Sequence, residues 1–141
     1  RISLAALVHR AIGEVGILAE NVNSEGLEVE LITDARLLSI AVQRILENAV
    51  EFADQSRTLK IRVLYQRLPG QHRITISDNG QGIPAKEQDQ IMSLFYRASV
   101  HSHGSGLGLY ITRKAVEKLR GVIQVESKEG EGSSFLIYLP I

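Results

Sequence analysis

The chain has no cysteine, which excludes a disulfide framework and thiol chemistry and suits a reducing compartment. It has no excess charge of either sign. Sixteen basic and sixteen acidic residues cancel, so no global field draws it to nucleic acid or an anionic membrane, and neither is expected as a direct partner. It has no apolar run of membrane-spanning length, no signal-peptide pattern at the N-terminus, no internal repeat and no low-complexity tract. The first residue is Arg1 rather than Met, so the chain is expected to be a piece of something longer. What remains fits one compact domain: 141 residues, 44% of them apolar, suffice to bury a sizeable core without disulfides or metals.

Hydrophobic spacing alternates between helix and strand. Leu4, Leu7, Val8, Ala11, Ile12, Val15, Leu18 and Ala19 predict a helix over residues 4–22. Asn23-Ser24-Glu25-Gly26 breaks it, and Leu27-Glu28-Val29-Glu30-Leu31 alternates as a strand. Asp34 reads as the N-cap of a second helix running to about residue 54. Strands are expected at Leu59–Tyr65 and His72–Ser77, then a short helix around Lys86–Phe95, a third main helix from about Leu107 to Leu119 ended by Gly121, and strands Val122–Ser127 and Ser134–Leu139. Three main helices and about five strands imply one mixed sheet covered on one face by helices.

Two glycine-rich stretches carry the chemistry. Asp78-Asn79-Gly80-Gln81-Gly82-Ile83 places a carboxylate at the end of an alternating strand, and Gly104-Ser105-Gly106-Leu107-Gly108-Leu109 is a glycine turn running into an amphipathic helix. A buried carboxylate can accept a hydrogen bond from an exocyclic amine, and a glycine turn at a helix start offers free N–H groups to phosphate oxygens. A pocket with both features is a nucleotide site. The glycines fit neither a P-loop nor a dinucleotide-binding fingerprint. Either cluster alone would be weak evidence, because most glycines are simply turns. Asn48, beside the apolar stripe of the second helix, adds weight. In isolation an Asn there would simply face water, but with the glycine clusters it reads as a hard oxygen ligand for magnesium.

Ile45–Phe52, Asp78–Ile83, Leu94–Ser99 and Gly104–Leu109 resemble, in order and spacing, the N box, first G box, F box and second G box of the catalytic, ATP-binding domain of sensor histidine kinases. The resemblance covers essentially all of residues 1–141, including the closing Gly130-Glu131-Gly132-Ser133-Ser134-Phe135 and Leu139-Pro140. It implies the Bergerat fold shared with gyrase, Hsp90 and MutL ATPases, an α/β (α+β) two-layer sandwich whose mixed, mostly antiparallel sheet lies under the helices. By position, it implies that Asp78 accepts the adenine amine and that Gly80 and Gly82 let the backbone approach the base next to Ile83. Asn48 would hold magnesium. From the turn opened by Gly104, the backbone of Gly106, Leu107 and Gly108 would meet the phosphates, and Leu109 would line the apolar floor. Ser134 would reach the base through water. Residues 84–104 would form a lid, with Phe95 packing and Arg97 contacting the terminal phosphates or steadying the lid; by itself Arg97 reads equally as a solvated surface charge.

The expected activity is binding of ATP with magnesium and donation of the γ-phosphate to a histidine on a separate dimerisation domain in two-component signalling, feeding a response regulator. The isolated domain is expected to be inactive without that phosphoacceptor domain, cytoplasmic, and monomeric for want of an apolar heptad seam; an inner-membrane sensor is one form its parent would take. The acceptor belongs to a segment absent from residues 1–141, since His9, His72, His101 and His103 read as structural or loop residues. Two positions depart from the family pattern. Arg44 stands where another asparagine is usual, and Glu51 where a lysine is usual. They keep open a catalytically weak nucleotide-binding module. An anti-sigma-type serine kinase is the third reading, disfavoured because Arg44 also occupies the place of the glutamate base of that branch.

Overall fold

The computed structural model describes residues 1–84 and 105–141, and of residues 105–108 the backbone alone. The chain runs β1 (Ile2–Ser3), α1 (Leu4–Val15), a 3₁₀ turn (Ala19–Asn21), β2 (Val22–Glu25), β3 (Glu30–Leu31), α2 (Ala35–Glu51), β4 (Ile61–Leu68), β5 (Gln71–Asp78), α3 (Ser105–Lys118), β6 (Val122–Lys128) and β7 (Gly132–Pro140). Five strands form the main sheet in the order β2-β4-β5-β7-β6; β1 and β3 form a separate two-stranded ribbon. β2 runs parallel to β4, and the other neighbours are antiparallel. The expected mixed, mostly antiparallel sheet is observed, with three α-helices among the described residues.

Strand alternation explains the layering. Ile61 and Val63 on β4, Ile74 and Ile76 on β5, and Phe135 and Ile137 on β7 are buried and lie opposite one another in register. Their odd-even partners Arg62, Gln66 and Arg73 face away. α2 closes the covered face with Leu38, Ala41, Val42, Ile45, Leu46 and Ala49, and packs along both α1 and α3. Each large side chain so buried contributes roughly 1.5–3 kcal/mol. As expected, Asp34 caps α2, its Oδ1 accepting from the amides of Arg36 at 2.9 Å and Leu37 at 3.2 Å.

The first third of the chain differs from the sequence expectation. α1 stops at Val15, not near residue 22, because Gly16 takes a left-handed conformation (φ 88°) and its N–H returns to the Ile12 carbonyl. The sheet strand is then Val22–Glu25, the polar stretch that looks like a break in the sequence; it forms a sheet edge paired with Ile61–Leu64. Of Leu27–Leu31 only Glu30–Leu31 pairs, with Ile2–Ser3. A tight turn, Val29 N–H to Leu27 O at 2.8 Å, breaks its extended path. The short helix expected at Lys86–Phe95 lies outside the described residues, as does the lid except for its first residue.

Candidate nucleotide site

β5 delivers Asp78 to the end of the sheet. The alternation that buries His72, Ile74 and Ile76 continues to Asp78, which shares the helix-covered face with Ile61 and Ser133, its partners in register. Its Oδ1 accepts the Gly80 amide at 2.9 Å, and the Ser133 amide also donates to the carboxylate. Burial pushes the Asp78 carboxyl above its ordinary range, and the two amides only partly offset it. The group is a desolvated acceptor with capacity to spare. Beside it, the hydroxyls of Ser133 and Ser127 are 2.8 Å apart, and Ser127 Oγ accepts the Ile83 amide at 2.8 Å.

Ser134 is not brought to this side. It lies opposite Ser77 in register, on the outer face of the sheet, and the two hydroxyls are 2.8 Å apart. Ser133 occupies the place next to Asp78. The parity was legible: Ser133 is in step with the apolar Phe135 and Ile137, and Ser134 is out of step.

The loop after Asp78 wedges between two other segments. A Cβ on Gly80 would sit 2.5 Å from the Phe52 carbonyl oxygen. Gly82 has φ 74°, and a Cβ there would sit 2.2 Å from the Lys128 carbonyl oxygen. Both glycines are thus required by protein packing. Gln81 N–H donates to Phe52 O at 2.9 Å, which ties the loop to the end of α2. Arg57 also grips this loop, and neither it nor Ser127 carries a motif that would single it out in the sequence.

Asn48 lies one turn before Phe52, about 6 Å along the helix axis. It is buried, and its Oδ1 has no hydrogen-bond partner among the described residues. Orphaned buried oxygens are rare. A hard carbonyl oxygen without a donor fits magnesium, which takes oxygen ligands and keeps the rest of its shell as water and phosphate. Among the described residues no group of three His, Cys, Asp or Glu side chains gathers to hold a metal unaided. Arg44 does not turn towards Asn48: its Nη1 pairs with Glu47 Oε1 at 3.2 Å on the exposed side, and Glu51 is exposed too.

α3 begins at Ser105, two residues before the expected Leu107, so Gly106, Leu107 and Gly108 fall in its first turn. The first four amides of an α-helix lack internal acceptors. Leu109 and Ile83 are buried in the core. Gly104 and Arg97 lie outside the described residues, as do Phe95, His101 and His103; His9 is exposed on α1, and His72 is buried at the far end of β5.

Residues 33–141 match the family model for histidine kinase-, DNA gyrase B-, and HSP90-like ATPases. The chain is 33% identical over 134 residues to the circadian input-output histidine kinase CikA of Synechococcus elongatus, a match that covers 92% of this chain and 17% of that protein. It is 32% identical over 114 residues to the aerobic respiration control sensor protein ArcB of Escherichia coli, covering 77% and 14%. It therefore spans less than a fifth of the length of these curated relatives. Among solved structures, the mycobacterial sensor histidine kinase MprB superposes with a TM-score of 0.77 at 28% identity, over 99% of this chain and 96% of that one. The catalytic domain of histidine kinase ThkA does so with 0.76 at 22% identity, over 99% and 93%, a likeness of fold.

Proposed function

Because the chain belongs to the family of histidine kinase-, DNA gyrase B-, and HSP90-like ATPases, we propose that it is the ATP-binding catalytic domain of a sensor histidine kinase. Its task is to place the γ-phosphate of ATP for transfer to a histidine of a dimerisation domain expected upstream, feeding a response regulator. The observation that carries this reading is the buried Asp78 carboxylate, held by two amides and free to accept a third donor. That donor is the exocyclic amine of adenine. Ile83 and Leu109, buried in the core, would back the apolar floor under the base, and the first-turn amides of α3 would meet phosphate oxygens. Gly104 and Arg97 belong to the same site by position in the motifs.

Asn48 would hold magnesium through its orphaned Oδ1, and the ion, when bound, offsets phosphate charge. No general base is required of this chain, since an imidazole is already a nucleophile near neutral pH. Glu47 is paired outward with Arg44, so activation of water is unsupported and intrinsic hydrolysis is expected to be slow. In that pair Arg44 is turned outward, away from Asn48, which favours a working site over a catalytically weak module. On this reading the domain works in the cytosol, where ATP is.

Calorimetric titration with ADP and a non-hydrolysable ATP analogue, with and without magnesium, tests this. Binding on the order of micromolar is expected, strengthened by magnesium and weakened about tenfold or more in D78N. Absence of binding, or binding indifferent to D78N, overturns the reading.

A further inference from the structure

α2 ends at Glu51, and the chain then folds into a turn over Asp54–Arg57. Asp54 Oδ1 accepts both the amide and the hydroxyl of Ser56, at 2.8 and 2.6 Å, and the Arg57 amide donates to Asp54 O at 3.2 Å. The ion pair Arg57 Nη2 to Asp54 Oδ2, at 3.4 Å, then aims the guanidinium at the glycine loop. Arg57 Nε donates to Asn79 O at 2.6 Å, and Nη2 donates to Gly80 O at 2.8 Å and to Gly130 O at 2.7 Å. One side chain thus joins the α2–β4 connection, the loop after Asp78 and the β6–β7 turn.

The peptide planes show what this grip does. A trans peptide carries its C=O and N–H on opposite edges. The plane between Asn79 and Gly80 is held at its oxygen by Arg57 and at its nitrogen by Asp78 Oδ1. The next plane, between Gly80 and Gln81, is held at its oxygen by Arg57 and at its nitrogen by Phe52 O. Fixing the carbonyl edge fixes where the Gly80 N–H points, and so where the Asp78 carboxylate is held.

We propose that Arg57 is a positioning residue for base recognition: acting through the Asn79–Gly80 peptide, it holds the Asp78 carboxylate where it reads the amine of adenine. This rests on the nucleotide reading above. The role needs the two-pronged geometry of a guanidinium, because Nε and Nη2 serve adjacent carbonyls; a lysine keeps the charge and loses the fork.

Affinities for ADP and for inosine diphosphate, which has an oxygen in place of the amine, separate positioning from mere stabilisation. The wild-type chain is expected to prefer ADP by at least about tenfold. R57Q and R57K are expected to lose most of that preference, with inosine diphosphate affinity within about twofold of wild type and faster hydrogen exchange at the Gly80 and Gln81 amides. D54N, which removes the ion pair but keeps an acceptor for Ser56, is expected to show a smaller loss and serves if the Arg57 variants do not fold. A parallel weakening of both ligands, a preference unchanged in R57Q, or R57K indistinguishable from wild type overturns the positioning role and leaves the nucleotide site standing. A wild-type chain that binds ADP no better than inosine diphosphate overturns the Asp78 reading itself and the inference with it.

Discussion

The role proposed for Asp78 opposes stability. Burial raises its carboxyl pKa above the ordinary value of 3.8, so without nucleotide the folded state prefers the proton more than the unfolded state does. Stability from this group is therefore complete below the unfolded pKa and lost as pH rises through the folded one. Above that folded pKa the group is a buried charge, and a further donor from a ligand would favour it. D78N keeps an oxygen for the Gly80 amide and removes the charge. Its thermal midpoint without ligand is expected to rise at pH 7, while ADP affinity falls by roughly tenfold or more, the loss of a hydrogen bond to a charged group. Scanning calorimetry and titration on one preparation check both signs. The serines make a companion test: S133A keeps the amide on Asp78 but removes the hydroxyl from Ser127, which holds the Ile83 amide, and is expected to weaken ADP binding by a few-fold at most, whereas S134A, on the outer face with Ser77, is expected to leave it unchanged. The motif that marks Asp78 was plain in the sequence. Which of Ser133 and Ser134 stands beside Asp78 follows from the strand parity that Phe135 marks, and the grip of Arg57 had no signal, because the backbone carbonyls it holds are remote in sequence.

At the level of elements, legibility followed locality. α2 shows its start through Asp34 and its buried face through helical spacing, both properties of neighbouring residues. β4, β5, β6 and β7 show themselves through alternation. β2 does not: Val22–Glu25 is mostly exposed and polar, and it is a strand because Ile61–Leu64 offers it an edge. Local apolar content misled at Leu27–Leu31, where Leu27 and Leu31 are buried without a continuous ladder. Two glycines that end or join elements make a testable contrast. Gly16 is left-handed with nothing within 4 Å of where a Cβ would stand, whereas Gly82 is left-handed and a Cβ would meet the Lys128 carbonyl at 2.2 Å. G16A is expected to cost about 1 kcal/mol through backbone conformation alone. G82A adds a clash with backbone that cannot step aside, so its destabilisation in denaturant titration is expected to exceed that of G16A, with ADP affinity reduced as well.

For the whole molecule, β5 links two ends of opposite character. Asp78 stands at one end with the candidate site; His72 stands at the other, six residues away, about 20 Å along a strand. His72 is buried, and its Nδ1 lies 2.7 Å from the Tyr65 hydroxyl. Burial, and secondarily the Arg67 charge, hold its pKa below the ordinary value of 6.5. A depressed pKa gives stability that is present above the unfolded value and is lost as pH falls through the folded one. The Asp78 contribution has the opposite sign and begins from 3.8, so the two groups bend the pH profile in opposite directions. Sites this far apart with no shared partners act independently. H72Q is therefore expected to flatten the loss of stability as pH drops below about 6.5, with ADP affinity at pH 7 unchanged. D78N removes the opposing Asp78 contribution and is expected to steepen that loss while lowering ADP affinity, and the double variant is expected to show the sum. Thermal midpoints from about pH 4.5 to about pH 8, spanning the histidine titration, decide it on the four proteins. A slope that survives H72Q places the acid-sensitive group elsewhere in the fold, and a loss of ADP affinity in H72Q shows that the sheet couples its two ends.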